Sequence, residues 1–311
     1  MKFQKLYDWN KEKKVNLEDC VLCPRMCHVN RLVGQKGYCR MDGTIWGARA
    51  ALHMWEEPCI SGTKGSGAVF FSGCTLRCIF CQNYEIADGS CGMEITPERL
   101  CEIYLELQEQ GAANINLVTA GHFAPYVIDS LVQAKEQGLS IPVVYNSSGY
   151  ERVETIRELG RVVDVWLPDY KYMDAALSKK YSGAPDYPEV AKMAIAEMVR
   201  LAGKPEFDED GYIQKGVIVR HLILPGHIKN SKAVLQYLYE TYGDAIYISV
   251  MNQYTPMPRV AEMEPLNRRV TKREYERVLD FAIELGIENG YFQDGDTAKD
   301  SFIPLFNYEG V

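Results

Sequence analysis

Apolar residues along this chain alternate between two patterns. Short continuous runs read as fully buried strands: Ala68 to Phe71, Asn114 to Thr119, Pro142 to Asn146, Val162 to Pro168, Gly216 to Leu224 and Ala245 to Val250. Between them lie stretches with the three-to-four-residue apolar spacing of helices. Thr96-Pro97-Glu98 opens one that runs to about Gln110, with Pro in its first turn. Others span Phe123 to Gln137, Val153 to Leu159, a longer polar region Asp174 to Ala202, Lys232 to Tyr242, and Thr271 to Leu285. Repetition of a strand–helix unit six times predicts a parallel sheet with helices outside it. The fold class expected is α/β, a partial TIM-like (β/α)6 barrel over residues 61–311. A doubly wound dinucleotide fold is disfavoured, because a cysteine loop and no Gly-rich turn follows the first strand.

Residues 1–60 break this pattern. They lack long apolar runs and are rich in Cys, Gly and Arg, which predicts a separate small Cys-rich module stabilised by a metal. The stretch Tyr291 to Val311 carries no readable period, and Pro304-Leu305-Phe306 within it is a candidate plug.

The barrel expectation locates the chemistry. In such folds it gathers at the C-terminal ends of the strands. Those ends carry the polar groups of this chain: Cys74, Gly121-His122, Asn146, Asp169-Tyr170-Lys171 and Asn252-Gln253. The loop Ser182 to Tyr187 and the segment Gln253 to Pro265 are expected to border the substrate opening.

Composition narrows the classes. The 311 residues carry a net charge of −8 and no long basic run, so a broad nucleic-acid-binding face is not expected. No stretch reaches the roughly 20 apolar residues of a membrane span. Met1 to Lys14 is charged, without the apolar core of an export signal. A cytoplasmic location follows as the expectation. There, ten cysteines read as metal ligands more readily than as disulfides. Seven fall into two tight groups: Cys20, Cys23, Cys27 and Cys39, and then Cys74, Cys78 and Cys81.

The second group has the spacing C-x3-C-x2-C. Three thiolates on one short loop can take three corners of a cubane and leave the fourth iron open to a small molecule. Structural zinc usually takes four protein ligands, and a redox dithiol needs two. The spacing, Phe80 before the third cysteine, and the position after the first strand resemble the radical S-adenosylmethionine (SAM) superfamily. Gly73-Cys74-x3-Cys78-x-Phe80-Cys81-Gln82-Asn83 is similar to the pyruvate formate-lyase activating enzyme group. With the N-terminal cysteines, the resemblance is to its activating-enzyme-like, PflX-type members, over nearly the whole chain.

The resemblance implies a [4Fe–4S] cluster held by Cys74, Cys78 and Cys81, with SAM on its open iron. It implies reductive cleavage of SAM to a 5′-deoxyadenosyl radical that removes hydrogen from a substrate. It implies SAM contacts residue by residue. Gly121 and His122 match the Gly-Gly-Glu-like loop, although His122 stands where the acidic residue would. Asn146 matches a Thr-Asn-Gly turn. Asp169 and Lys171 match an Asp-x-Lys motif of glycyl radical activases. His221, beside Arg220, matches a basic–aromatic pair before a Pro-Gly turn; strand alternation allows only one of the two to face inward. Gln253 stands at a ribose-contacting position.

The implied partners are an electron donor of flavodoxin or ferredoxin type and a substrate that is a glycine of a glycyl radical enzyme, another peptide, or a small molecule. A non-catalytic iron–sulfur carrier or sensor is the remaining alternative, motivated by the missing acid at His122. Cys20-x2-Cys23-x3-Cys27-x11-Cys39 offers four ligands for zinc or a second iron–sulfur cluster.

Overall fold

The computed structural model describes residues 17–293 and 304–311. Its centre is a ten-stranded sheet ordered β10-β9-β8-β6-β5-β4-β2-β1-β3, with β7 against β8. The strands are β1 Ile45–His53, β2 Ser66–Phe71, β3 Met93–Ile95, β4 Ile115–Val118, β5 Val143–Ser147, β6 Val165–Pro168, β7 Glu206–Phe207, β8 Ile213–Leu222, β9 Tyr247–Met251 and β10 Gly290–Phe292. Neighbours along β2-β4-β5-β6-β8-β9-β10 are parallel; β1, β3 and β7 pair antiparallel. The sheet is not closed, as a partial barrel requires. Every strand expected from the apolar runs is present. Strands β2, β4, β5 and β6 are buried at every residue, which is why they read as continuous runs without alternation.

The helices are α1 Pro58–Ser61, α2 Tyr84–Ala87, α3 Pro97–Glu109, α4 Ala124–Glu136, α5 Val153–Leu159, α6 Ala175–Ser182, α7 Tyr187–Ala202, α8 Ile228–Tyr242 and α9 Lys272–Leu285. Local chemistry starts two of them where expected. The Thr96 side chain caps α3 through the Arg99 amide, and Thr271 and Glu274 form a reciprocal capping box on α9. The single polar helix expected over 174–202 is two, α6 and α7. Gly183 ends α6 at φ 58°, and Pro185 and Pro188 prevent the chain from running straight on.

Strand alternation sorts the core into two layers. Leu117, Tyr145, Trp166 and Val219 pack with the helices in the main cluster. Val144, Val165, Leu167 and Ile218 point to the other face, where Cys59 and Ile60 of α1 join them. That second face is the barrel interior, and the same parity carries Asn146, Asp169 and Arg220 into its upper end.

The sheet reaches across residue 60. Strand β1 pairs with β2 over Gly47 to His53, within the stretch whose composition suggested a separate module. Residues 17–44 contain one short 3-10 turn, Arg31–Val33, and no strand. They lie against the barrel: Arg152 donates to the Val21 carbonyl at 2.6 Å, Thr155 to that of Leu22 at 2.7 Å, and buried Arg31 to those of Asp42 and His122. The Met1–Lys14 segment and the middle of the 291–311 stretch lie outside the described residues.

Candidate active site

The strand ends converge on a cavity of ≈ 210 Å³. Its wall is built in chain order by His53 at the end of β1, Trp55 and Glu56 after it, Phe70 of β2, the cysteine loop, Val118 and Thr119 at β4, Asn146 at β5, Asp169 and Lys171 after β6, Arg220 and Leu222 of β8, and Gln253 after β9. Cys74, Cys78, Phe80 and Cys81 all border it. The loop is bent tightly: Gly73 and Arg77 stand at φ 85 and 53°. A Cβ on Gly73 would lie 2.5 Å from Met41 and 2.7 Å from the Cys39 carbonyl, so only glycine fits there.

The three thiols are held by donors suited to thiolates. The Arg77 amide donates to Cys74 Sγ at 3.4 Å, and Ser182 Oγ donates to Cys78 Sγ at 3.1 Å. As free thiols they are pushed up by burial, Cys81 to about 12, with Cys74 and Cys78 adding to the effect at Cys81. Lys171 opposes that rise at all three. Among the described residues no group of three or more His, Cys, Asp or Glu side chains closes on a single metal ion. A cubane asks for something else: each thiolate meets a separate iron corner. Three cysteines on one loop, all facing one cavity, fit it.

Opposite the thiols lies a buried ion network. Lys171 Nζ donates to Asp169 Oδ2 at 2.5 Å. Arg220 donates to Asp169 Oδ1 at 3.1 Å, to Glu56 Oε2 at 3.0 Å and to Asn146 Oδ1. Glu56 Oε1 also accepts from Asn116 at 3.1 Å and from Asn146 at 3.3 Å. All four charged side chains are 9–14% exposed. Burial alone would raise Asp169, yet Lys171 and Arg220 hold it below the ordinary carboxylate range. For Lys171 and Arg220, burial works against the charge and the facing carboxylates outweigh it, so both are raised. Deeper still, burial raises Glu57.

The profile of the Radical SAM superfamily matches residues 68–206. This stretch is a radical SAM domain. Domains of this superfamily work as SAM-dependent radical enzymes with a [4Fe–4S] cluster, and the matched stretch includes the cysteine loop and the Asp169–Lys171 pair. An uncharacterized protein of Methanocaldococcus jannaschii is 28% identical over 279 residues, 87% of this chain and 76% of that protein. The pyruvate formate-lyase-activating enzyme of Clostridium pasteurianum is 32% identical over 111 residues, 34% of this chain and 45% of that enzyme. Among solved structures, Streptococcus suis SuiB bound to S-adenosylmethionine is 14% identical at a TM-score of 0.48, covering 71% of this chain and 48% of that one. No described helix is long and apolar enough to cross a membrane.

The cavity brings together most of the residues singled out from the sequence. Cys74, Cys78, Phe80, Cys81, Asn146, Asp169, Lys171 and Gln253 share the cavity. Gly121, His122 and His221 do not border it. Gly121 backs onto the Tyr145 hydroxyl and the Glu151 carboxyl. His122 is fully buried, its Nε2 2.7 Å from the Ser72 carbonyl, and burial with nearby Arg31 lowers it to about 3. His221 is a satisfied core histidine. Its nitrogens meet the Tyr170 carbonyl at 2.8 Å and Ser231 Oγ at 2.9 Å, and burial lowers it to about 4.

One residue of the network was missed, Glu56, and one was left open between two neighbours. Arg220, not His221, faces inward, because it shares parity with Ile218 on the interior face. Glu56 follows a strand that the sequence reading had absorbed into the small module. From the 118–122 loop the wall takes Thr119, held at φ 61°, instead of the Gly121-His122 pair.

Proposed function

We propose that this protein cleaves SAM reductively at a [4Fe–4S] cluster ligated by Cys74, Cys78 and Cys81, and uses the resulting radical to take hydrogen from a substrate. One observation carries the reading: three thiols on one loop open onto the same cavity as the buried Glu56–Arg220–Asp169–Lys171 network. When bound, the cluster supplies the low-potential electron and an open iron for the methionine end of SAM.

The protein's own residues do the rest. SAM carries an ammonium, a carboxylate and a cationic sulfonium. A cradle of paired acids and bases at fixed positions orients such a ligand without paying for side-chain ordering at the moment of binding. Asp169, held low by Lys171 and Arg220, and Glu56 accept; Lys171, Arg220 and the Asn146 amide donate. Phe80, wedged between Tyr181 and Tyr254 at ring distances of 6.4 and 6.1 Å, stiffens the loop and keeps water from the thiols. Gln82 bridges to the Gln253 carbonyl at 2.8 Å and ties the loop to the end of β9.

The finer reading is an activating-enzyme-like protein of PflX type, drawing electrons from a flavodoxin- or ferredoxin-type donor in the cytoplasm and acting on a glycyl radical enzyme or another peptide. The partial likeness to the Clostridium activating enzyme supports it. A polar cradle facing the thiols favours an enzyme over a bare electron carrier.

Anaerobic reconstitution tests the core claim. The wild-type chain should show cubane absorbance and, after dithionite reduction, turn SAM into methionine and 5′-deoxyadenosine. Replacing Cys74, Cys78 and Cys81 by Ala should abolish both. Cleavage that survives those replacements overturns the reading. Co-expression with a glycyl radical enzyme, read by electron paramagnetic resonance, tests the finer one: no protein radical with any partner counts against it.

A further inference from the structure

Residues 17–44 are held together by little that is apolar. Cys39 and Met41 pack into the main core, and the segment's own apolar cluster is Cys20 and Leu22, with Leu17 and Val29 beside them. Met26, His28 and Arg40 stand at left-handed φ of 40, 55 and 66°, each costing on the order of 1 kcal/mol. So small a segment does not order itself on such a core.

The segment's four cysteines are all free thiols, Cys20, Cys23 and Cys39 buried and Cys27 partly so. As free thiols no three of them close on one ion, yet they are neighbours. Cys27 Sγ and Cys39 Sγ lie 3.3 and 3.8 Å from the point where a Cβ on Gly37 would stand, and Cys20 and Cys23 lie within electrostatic reach of Cys39. The missing Cβ leaves room between the sulfurs. Backbone amides point at two of them: Tyr38 N–H donates to Cys27 Sγ at 3.1 Å, and the Arg25 amide donates to Cys23. Both amides are donors that a metal-bound sulfur would keep as hydrogen-bond partners.

The same segment grips the radical SAM cysteine loop. Arg25, between Cys23 and Cys27, donates to the carbonyls of Thr75 at 2.9 Å, Gly183 at 2.7 Å and Ser182 at 3.0 Å. Its guanidinium stacks over Tyr38 at 3.9 Å, and the Tyr38 carbonyl accepts from Arg77 of the loop at 3.2 Å. Ser182 is the residue whose hydroxyl meets Cys78. On the opposite side the Cys39 carbonyl abuts Gly73, next to Cys74.

We propose that Cys20, Cys23, Cys27 and Cys39 together ligate a second, thiolate-held metal centre, a zinc ion or an iron–sulfur cluster, and that this centre holds Arg25 and Tyr38 in register against the Cys74–Cys81 loop. Four protein thiolates complete the coordination of either, so this centre has no open position, unlike the three-cysteine site. The sulfurs draw in as the metal displaces their protons. Arg25 is then a positioning residue: it ties the Thr75 carbonyl of the loop to the Ser182 and Gly183 carbonyls, beside the hydroxyl that meets Cys78. Only this positioning role rests on the function proposed for the loop.

Full-length protein with Cys74, Cys78 and Cys81 replaced by Ala separates the two sites. Purified anaerobically and offered Zn²⁺, or iron and sulfide, it should retain about one zinc ion per chain or about four irons with matching sulfide. Co²⁺ in place of zinc should give thiolate-to-metal charge-transfer absorption. All signals should vanish when Cys20 and Cys39 are also replaced by Ser. If the triple variant does not fold, the wild-type chain gives the same answer: zinc beside the cubane, or about eight irons instead of four. A folded triple variant that takes up none of these metals, or a wild-type chain that holds no metal beyond one cubane, overturns the second centre. If instead the wild type shows no cubane while the triple variant keeps its metal, it is the reading of the Cys74–Cys81 loop that fails.

Arg25→Gln tests the positioning role. The N-terminal metal should stay, while iron at the Cys74–Cys81 site is lost to a chelator about tenfold faster and the resonance spectrum of the reduced cluster shifts. Arg25→Lys should fall between. Release and spectrum identical to wild type overturn the role of Arg25.

Discussion

Arg220 serves three acceptors at once, on Asp169, Glu56 and Asn146, from a strand position whose neighbour, His221, is an inert core residue. Planarity makes this arrangement specific to arginine. Arg220→Met leaves buried Glu56 without its cation and Asp169 with Lys171 alone, and should cost about 3–5 kcal/mol in denaturant unfolding of the apoprotein. Arg220→Lys should recover part of that stability and little of the SAM affinity, because a point charge cannot reach all three groups. A Met variant as stable as wild type would show that the network is not worth what its burial suggests. The inward choice of Arg220 was not legible in the chain. Both faces of β8 are buried, so alternation there carries two phases and no sign to tell inside from outside. Asp169 and Lys171 were legible, because they stand just past a strand end where polar residues interrupt an apolar run.

At the scale of elements, the apolar runs located the parallel strands well and the edges poorly. Strand β1 reads Ile45-Trp46-Gly47-Ala48-Arg49-Ala50-Ala51-Leu52-His53, and its small residues give neither a run nor a clear alternation. It was lost among cysteines and glycines, and Glu56 was lost with it. Between helices, one ion cluster stands out. Glu197 of α7 accepts from Arg157 of α5 at 2.7 Å and from Arg200 at 2.7 and 3.0 Å, and its carboxyl is lowered to about 2, first by the Arg200 hydrogen bond. A depressed carboxyl stabilises the fold above its unfolded pKa. That contribution is lost as pH falls from the ordinary glutamate value, about 4.3, toward 2. Glu197→Gln should therefore cost on the order of 1 kcal/mol at pH 7 and almost nothing near pH 2, measured by urea unfolding at both pH values. An equal cost at both would mean that packing, not charge, is what Glu197 supplies.

At the scale of the whole molecule, the last residues of the chain pack along β1 and β2 at one side of the open sheet. Glu309 accepts from the Ala50 amide at 2.8 Å and pairs with Arg49 at 2.7 Å, Phe306 packs edge-on against Phe70 at 5.5 Å, and Pro304 reaches the cavity wall. The plug read into Pro304-Leu305-Phe306 is partly that: Pro304 borders the cavity, while Leu305 points to solvent. Removing residues 304–311 should lower Tm by roughly 5 °C and weaken SAM binding, read by thermal unfolding and equilibrium dialysis. Loss of stability with unchanged SAM affinity would restrict the tail to a purely mechanical role.

The grip of Arg25 on Gly183 spans 158 residues of chain. On a ribosome adding 5–20 residues per second, the first cysteines wait roughly 8–30 s before the carbonyls they are tied to exist. Through that interval they are bare sulfur in the cell, exposed to oxidants and to whatever cation arrives first. For the metal centre proposed at these cysteines, order of synthesis thus makes early capture of the right ion, ahead of barrel folding, a step at which maturation can succeed or fail.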